Sequence, residues 1–226
     1  MIFIPKRNST LLIVIIALIS FNTTYSQVID NAKEKINRER FTFLENRGIH
    51  VIDVAMGSVI INGDYPNPDF EIYFRAGYKY HLTNHLNVNF TYNKYNLSVK
   101  DVYNEGFMSF DLNAEYLLMP LKKITPFLYL GGGYNASNYF EHTEFKVQGG
   151  VGLEYLLVEG VGVKLFGEYN YMFSDELDGR VAGESDDTFI RVGLGLNIYF
   201  GGEKEKEIIR KKLNTVINSS LIIPYN

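Results

Sequence analysis

From Ile49 to Phe200 the chain repeats one unit: a segment alternating between apolar and polar residues, then a turn or loop. Strict alternation predicts strands with two different faces, because successive side chains on a strand point to opposite sides. Phe70, Ile72, Phe74, Ala76, Tyr78 and Tyr80 fall on one face, and Glu71, Tyr73, Arg75, Gly77 and Lys79 on the other. Leu86, Val88, Phe90 and Tyr92 alternate with Asn87, Asn89, Thr91 and Asn93. Met108, Phe110, Leu112, Ala114, Tyr116 and Leu118 oppose Ser109, Asp111, Asn113 and Glu115. The same pattern sets Val147, Val151 and Leu153 against Lys146, Gln148 and Glu154, and Val163, Leu165 and Tyr169 against Lys164, Glu168 and Asn170. The last segment sets Ile190, Val192, Leu194, Leu196 and Ile198 against Arg191, Gly193, Gly195 and Asn197. Ile49–Ile60, which alternates poorly around Gly57, and Thr125–Asn135, interrupted by Gly131-Gly132-Gly133, complete a set of eight.

The connections predict how these strands are arranged. Ile61–Asp69, Leu97–Gly106, Ala136–Glu144 and Ser174–Asp187 are long, whereas Leu82–His85, Met119–Ile124 and Val158–Gly160 are short. Long outer loops alternating with short periplasmic turns are the habit of outer-membrane barrels, and an even strand count returns both termini to one side. The expected fold is therefore all-β: an eight-stranded antiparallel up-and-down transmembrane barrel over residues 49–200. A soluble β-sandwich is the competing architecture. Its core would have to hold a large aromatic at many inward positions, and its polar face would not need charges of both signs. In a lipid barrel the apolar face, including Leu112, Val151, Leu165 and Leu194, meets hydrocarbon. The polar face then fills the lumen, and Arg75, Asp111, Glu115, Glu154, Lys164, Glu168 and Arg191 are expected to form a paired charge network there. Eight strands enclose room for side chains only, so an open pore is not expected.

Composition sharpens this reading. Seventeen Tyr, sixteen Phe and twenty Gly in 226 residues are a strand-forming, tightly turning mixture. The complete absence of Cys removes disulfides, thiolate catalysis and Cys-ligated metals. A formal charge of −4 argues against a nucleic-acid partner. Residues 1–26 have the form of a signal peptide: Lys6 and Arg7, the apolar run Leu11–Phe21, then Thr24 and Ser26 as small residues before a cut. Residues 27–48 are expected to be a periplasmic linker or short helix, and 201–226 a periplasmic tail. In that tail Leu221, Ile222 and Ile223 would supply an adhesive segment for a periplasmic or secretion-complex protein, although a solvated tail explains the composition better.

Candidate chemistry is sparse. His81 and His85 flank a short turn, where they are expected as ordinary polar residues. His142, near Ser137, Glu141 and Glu144, is the only constellation resembling a catalytic triad, and loops gather such residues by chance. The acid-rich loop Ser174–Asp187 does not have EF-hand spacing, and a solvated loop explains it better than a Ca²⁺ site. Tyr65-Pro66-Asn67-Pro68 is turn chemistry and carries no site signal. No catalytic residues, cofactor or metal are expected.

The signal peptide, the strand periodicity and the Gly- and aromatic-rich finish LGLNIYFGG together resemble the small outer-membrane barrels typified by OmpA and OmpX. NEGFMSFDLNAEYLL, GGGYNASNYF, VQGGVGLEY and GEYNYMFSDELDG are also similar to the barrel-type region of some curli production and transport proteins. The first resemblance implies a structural or surface-binding barrel in contact with outer-membrane lipid. The second implies an accessory of fibre secretion or assembly. A lipid-modifying enzyme, as some barrels are, is the third class.

Overall fold

The computed structural model describes residues 32–62, 69–99, 103–138, 140, 143–173 and 188–219. The expected signal peptide, the Tyr65–Pro68 turn, His142, the Ser174–Asp187 loop and Leu221–Ile223 lie outside them. Eight strands follow one another: β1 (His50–Asn62), β2 (Glu71–His81), β3 (Leu86–Val99), β4 (Tyr103–Leu117), β5 (Ile124–Ser137), β6 (Thr143–Val158), β7 (Val161–Met172) and β8 (Thr188–Phe200). Each pairs antiparallel with its sequence neighbour, and β8 pairs with β1 from His50↔Phe200 to Asn62↔Thr188, closing the barrel. Helix α1 (32–46) precedes the strands and α2 (Glu203–Ser219) follows them. None of the described helices is long and apolar enough to cross a membrane.

The alternation read from the sequence becomes an inside and an outside. Leu112, Val151, Leu165 and Leu194 point outward with 58%, 66%, 56% and 57% of their surface exposed. Such exposure of large apolar side chains recurs on every strand, so the barrel wears its hydrophobic surface outside. Outward aromatics gather toward both ends. Tyr92–Phe110 and Tyr134–Phe145 contacts lie on the loop half, each with centroids 5.4 Å apart. His50 with Tyr78, Tyr80 and Phe200, and His85 with Tyr116, lie on the terminus half. Aromatics near the strand ends suit the two interfaces of a bilayer.

Three expectations about the strands are corrected. First, β3 and β4 stay paired through Leu97↔Glu105, Ser98↔Asn104 and Val99↔Tyr103, so the expected long connection Leu97–Gly106 shrinks to residues 100–102. Inward Leu97 and Val99 are buried there and carry the strand pattern onward. Second, Gly131-Gly132-Gly133 does not interrupt β5, which pairs continuously with β4 and β6. A Cβ on Gly131 would collide with the Leu112 carbonyl oxygen, so the absence of a side chain is what lets the strands approach. Third, β1 extends to Asn62 and alternates after all: its inward face is Val51, Asp53, Ala55, Gly57, Val59 and Ile61.

Inward glycines on β6 and β8 make room for rings from their directly paired residues on the neighbouring strands β5 and β7. A Cβ on Gly150 would strike the Tyr129 ring, one on Gly152 the Phe127 ring, and one on Gly193 would come within 2.7 Å of Phe166.

The chain divides into two compact units, residues 42–206 with the barrel, and a second unit whose described residues, 32–41 and 207–219, are helical. In the helical unit Arg38 is paired with Glu34 at 2.6 Å, and the Arg210 guanidinium stands 5.6 Å from the centroid of the Phe41 ring. The expected linker is thus helical over most of its described length, and the tail helix runs on to Ser219.

A charge placed on the outer band should be costly. Leu112→Arg is expected to lower unfolding free energy in lipid vesicles by about 2–4 kcal/mol. A denaturant titration that overlays on the unmodified protein would contradict the outward apolar face.

Candidate functional site: a charge-filled lumen

The interior is built from the polar half of each strand. All seven residues expected in the lumen network, Arg75, Asp111, Glu115, Glu154, Lys164, Glu168 and Arg191, are buried there, together with Lys79 and Lys146. Glu71, on the same face of β2, is only half-buried at the loop end. Burial of so many ions is tolerable only if each has an opposite charge and further hydrogen bonds, since an unpaired buried ion costs several kcal/mol.

Toward the loop end the network centres on Glu168 of β7. It accepts hydrogen bonds from Arg75 of β2 at 2.5 Å, from the Tyr129 hydroxyl of β5 at 2.7 Å and from Arg191 Nε of β8 at 2.7 Å. Arg191 also reaches Asp111 of β4 at 2.8 Å, and Lys146 of β6 donates to Asp111 at 3.0 Å and to Asn170 at 2.6 Å. Asn93 donates to Asp111 at 2.8 Å, and Gln148 donates to Asn113 at 2.7 Å. Rings line this tier. The Arg75 guanidinium lies 4.5 Å from the Phe166 centroid, and that of Arg191 lies 5.3 Å from Tyr73 and 5.4 Å from Tyr95, so the cations also meet π-faces. Above them Tyr95 donates to Asn135 and packs on Phe107 and Phe189.

A second tier lies nearer the termini. Lys79 donates to both carboxylate oxygens of Glu115, at 2.9 and 2.7 Å, and sits 3.7 Å from Asp53; Lys164 donates to Asp53 at 2.5 Å. Asn87 donates to Glu115 at 2.8 Å.

A third tier closes the terminus end, and the sequence reading missed its key residue. Arg47, placed in the expected linker, is buried. It donates to Glu154 from Nη2 at 3.2 Å, to the Pro120 carbonyl at 2.5 Å and to the Thr125 hydroxyl at 3.0 Å. Glu154 also accepts from Tyr199 at 2.6 Å and from Asn197 at 2.7 Å. Phe43 and Leu44 are buried with it. His81, expected as an ordinary turn residue, is instead buried between Phe43, edge-on at 5.1 Å, and Tyr199, stacked at 5.9 Å. His85 remains at the turn, with its Nδ1 2.7 Å from the Leu117 carbonyl oxygen.

Among the described residues, the buried lumen carboxylates are Asp53, Asp111, Glu115, Glu154 and Glu168, against Arg47, Arg75, Lys79, Lys146, Lys164 and Arg191. Asp53 is the second residue that the sequence reading left out. It belongs to the poorly alternating first segment, where an inward acid between apolar neighbours gave little signal. The described residues contain no group of three His, Asp or Glu side chains able to hold a metal ion. Ion pairs stacked in three tiers fill the interior, and each of these six cations is held by an anion, with carbonyls, amides or rings around it.

No family model matches the chain, and no curated protein matches its sequence. Solved structures do. Neisserial surface protein A is 15% identical over 69% of this chain and 100% of its own, with a TM-score of 0.56. Ail of Yersinia pestis is 16% identical over 68% and 99%, with a TM-score of 0.46. The N-terminal β-barrel domain of Pseudomonas aeruginosa OprF is 17% identical over 66% and 97%, with a TM-score of 0.43. Nothing in these comparisons supports the resemblance to curli production proteins. Taken with the closed ring of eight antiparallel strands, the first likeness makes the fold that of the small bacterial outer-membrane β-barrels.

The tiers should differ in what they tolerate. Glu168→Gln leaves two guanidiniums without their shared carboxylate and is expected to lower stability by about 3–5 kcal/mol. Glu115→Gln should cost clearly less, because Lys79 keeps Asp53 as a neighbour. Denaturant unfolding of both variants in lipid vesicles measures the difference, and equal losses would show that the pairing does not set the cost.

Proposed function

We propose that this protein is a non-enzymatic barrel of the bacterial outer membrane, closed to solutes, that acts as a structural or surface-binding protein through its outer connections. The observation that carries this reading is the filled lumen. Arg75, Glu168, Arg191, Asp111 and Lys146 join β2, β4, β6, β7 and β8 across the middle of the barrel, where a pore would need free space. Eight strands leave an interior that side chains fill, so a protein of this size does its work at its rims rather than through its centre. The outward apolar band suits lipid as the surrounding medium. On this reading residues 1–26 direct export and are removed, both termini face the periplasm, and the connections after β1, β3, β5 and β7 face outward.

Reconstituted into planar bilayers, the full mature chain should give no stepwise conductance above that of protein-free membranes. Lipid A extracted from cells that express it should keep an unchanged mass spectrum. Stable channels of porin size would overturn the closed-barrel reading, and a new lipid A species would overturn the non-enzymatic one.

A further inference from the structure

We propose that residues 42–47 form a releasable latch on the terminus end of the barrel, with the Arg47 guanidinium as its bolt, and that withdrawing the bolt opens the polar tier above it to water.

The position of Arg47 in the chain is the first observation. Of the described buried cations it alone is carried by no strand: it follows the last turn of α1, and its amide donates to the Phe43 carbonyl at 2.7 Å. The other five are inward residues of β2, β6, β7 and β8, and cannot leave without breaking a ladder. Few backbone bonds tie the latch and the residues after it to the barrel. Gly160 donates to the Asn46 carbonyl at 2.9 Å, and His81 donates to the Ile49 carbonyl at 2.8 Å. Gly48 passes so close to Phe200 that a Cβ there would collide with its carbonyl oxygen.

The second observation is what stays behind when the bolt moves. Glu154 keeps its hydrogen bonds from Tyr199 and Asn197, so its carboxylate is not stranded. Thr125 keeps the Met119 carbonyl as acceptor at 3.0 Å. The Pro120 and Lys122 carbonyls belong to the turn between β4 and β5, where water can replace the guanidinium. This contrasts with Glu168, the carboxylate that Arg75 and Arg191 share in mid-barrel. Release of Arg47 therefore strands no lumen carboxylate, unlike loss of the pairing at Glu168.

The third observation is the tier behind the latch. Asp53 Oδ1, Asn87 Oδ1, Asn89 Oδ1 and Asn197 Oδ1 are buried oxygens that accept no hydrogen bond from the described residues. Water entering there gains acceptors, and the ion pairs of Lys79 and Lys164 gain solvation. Buried polar groups are ordinarily satisfied, so these oxygens offer acceptors to water that reaches the tier once the guanidinium is withdrawn.

The chain has no cysteine, so Asn89→Cys supplies a single thiol in this tier. Ser109→Cys does the same in the Glu168 tier. The full mature chain, folded in phospholipid nanodiscs and checked by its heat-shifted gel band, is treated with a small cationic methanethiosulfonate. With Arg47 present, the Asn89→Cys protein should react slowly but to completion. Adding Arg47→Ala should speed this at least tenfold, Arg47→Lys should restore most of the protection, and the Ser109→Cys protein should be indifferent to all of these changes. Glu154→Gln, which weakens the bolt without removing it, should speed labelling too and serves if the alanine variant does not fold. Three results would each overturn the proposal: no labelling at all with Arg47 present, which makes the seal permanent; equal rates with and without the guanidinium; or failure of both variants to fold, which makes residues 42–47 an obligatory part of the barrel.

Discussion

Everything in this molecule answers to one constraint: hydrocarbon offers no partner to a backbone N–H or C=O, and each one left open costs several kcal/mol. The pairing of β8 with β1 removes the only two edges the sheet would otherwise have. Closure at eight strands then sets the interior width, and that width decides what may stand inside. Rings from β5 and β7 fit only where Gly150, Gly152 and Gly193 leave room opposite. The ions fit only as pairs. The lumen is thus as tightly specified as the core of a soluble protein, with polar atoms in place of methyl groups.

That inversion explains which parts of the fold could be read from the chain. On β2, β4 and β8 the two faces differ sharply, Leu112 beside Asp111 or Leu194 near Arg191, because one meets lipid and the other meets ions. The strand pattern there is plain. On β1 it fades, because Val51, Ala55, Val59 and Ile61 line the inside as well, leaving Asp53 as a lone acid in an apolar stretch. The glycines of β5 resemble a break for a related reason: Gly131 and Gly133 are inward positions emptied so that Asn113 and Asp111 of the neighbouring strand can occupy the space. The connection after β3 mixes apolar and polar residues without a clear strand signal, yet pairing with β4 continues through Val99↔Tyr103.

The network was legible as a set of residues and not as a geometry. Alternation identifies Arg75, Glu115 and Glu168 as inward, but which anion meets which cation depends on register and on reach across the lumen. Arg47 was out of reach of any such reading. It lies outside the alternating region, and its partner Glu154 is 107 positions further along the chain. His81 was misjudged for a similar reason, since a residue next to a short turn is normally wet, and only the approach of Phe43 and Tyr199 buries it.

The cross-lumen pairs also bear on how such a chain enters a bilayer. Arg75 of β2 meets Glu168 of β7, Lys79 of β2 meets Glu115 of β4, Lys146 of β6 meets Asp111 of β4, and Lys164 of β7 meets Asp53 of β1. Among the described residues of the strands, only Lys79 with Asp53, and Arg191 with Glu168, pair within one hairpin, β1–β2 and β7–β8 respectively. A hairpin inserted by itself would still carry some ions, such as Arg75, Asp111, Lys146 or Lys164, into the acyl layer with their main counter-ions outside. Stepwise threading is therefore penalised, and assembly is driven toward a concerted event in which the ring forms and the interior neutralises as the polypeptide crosses.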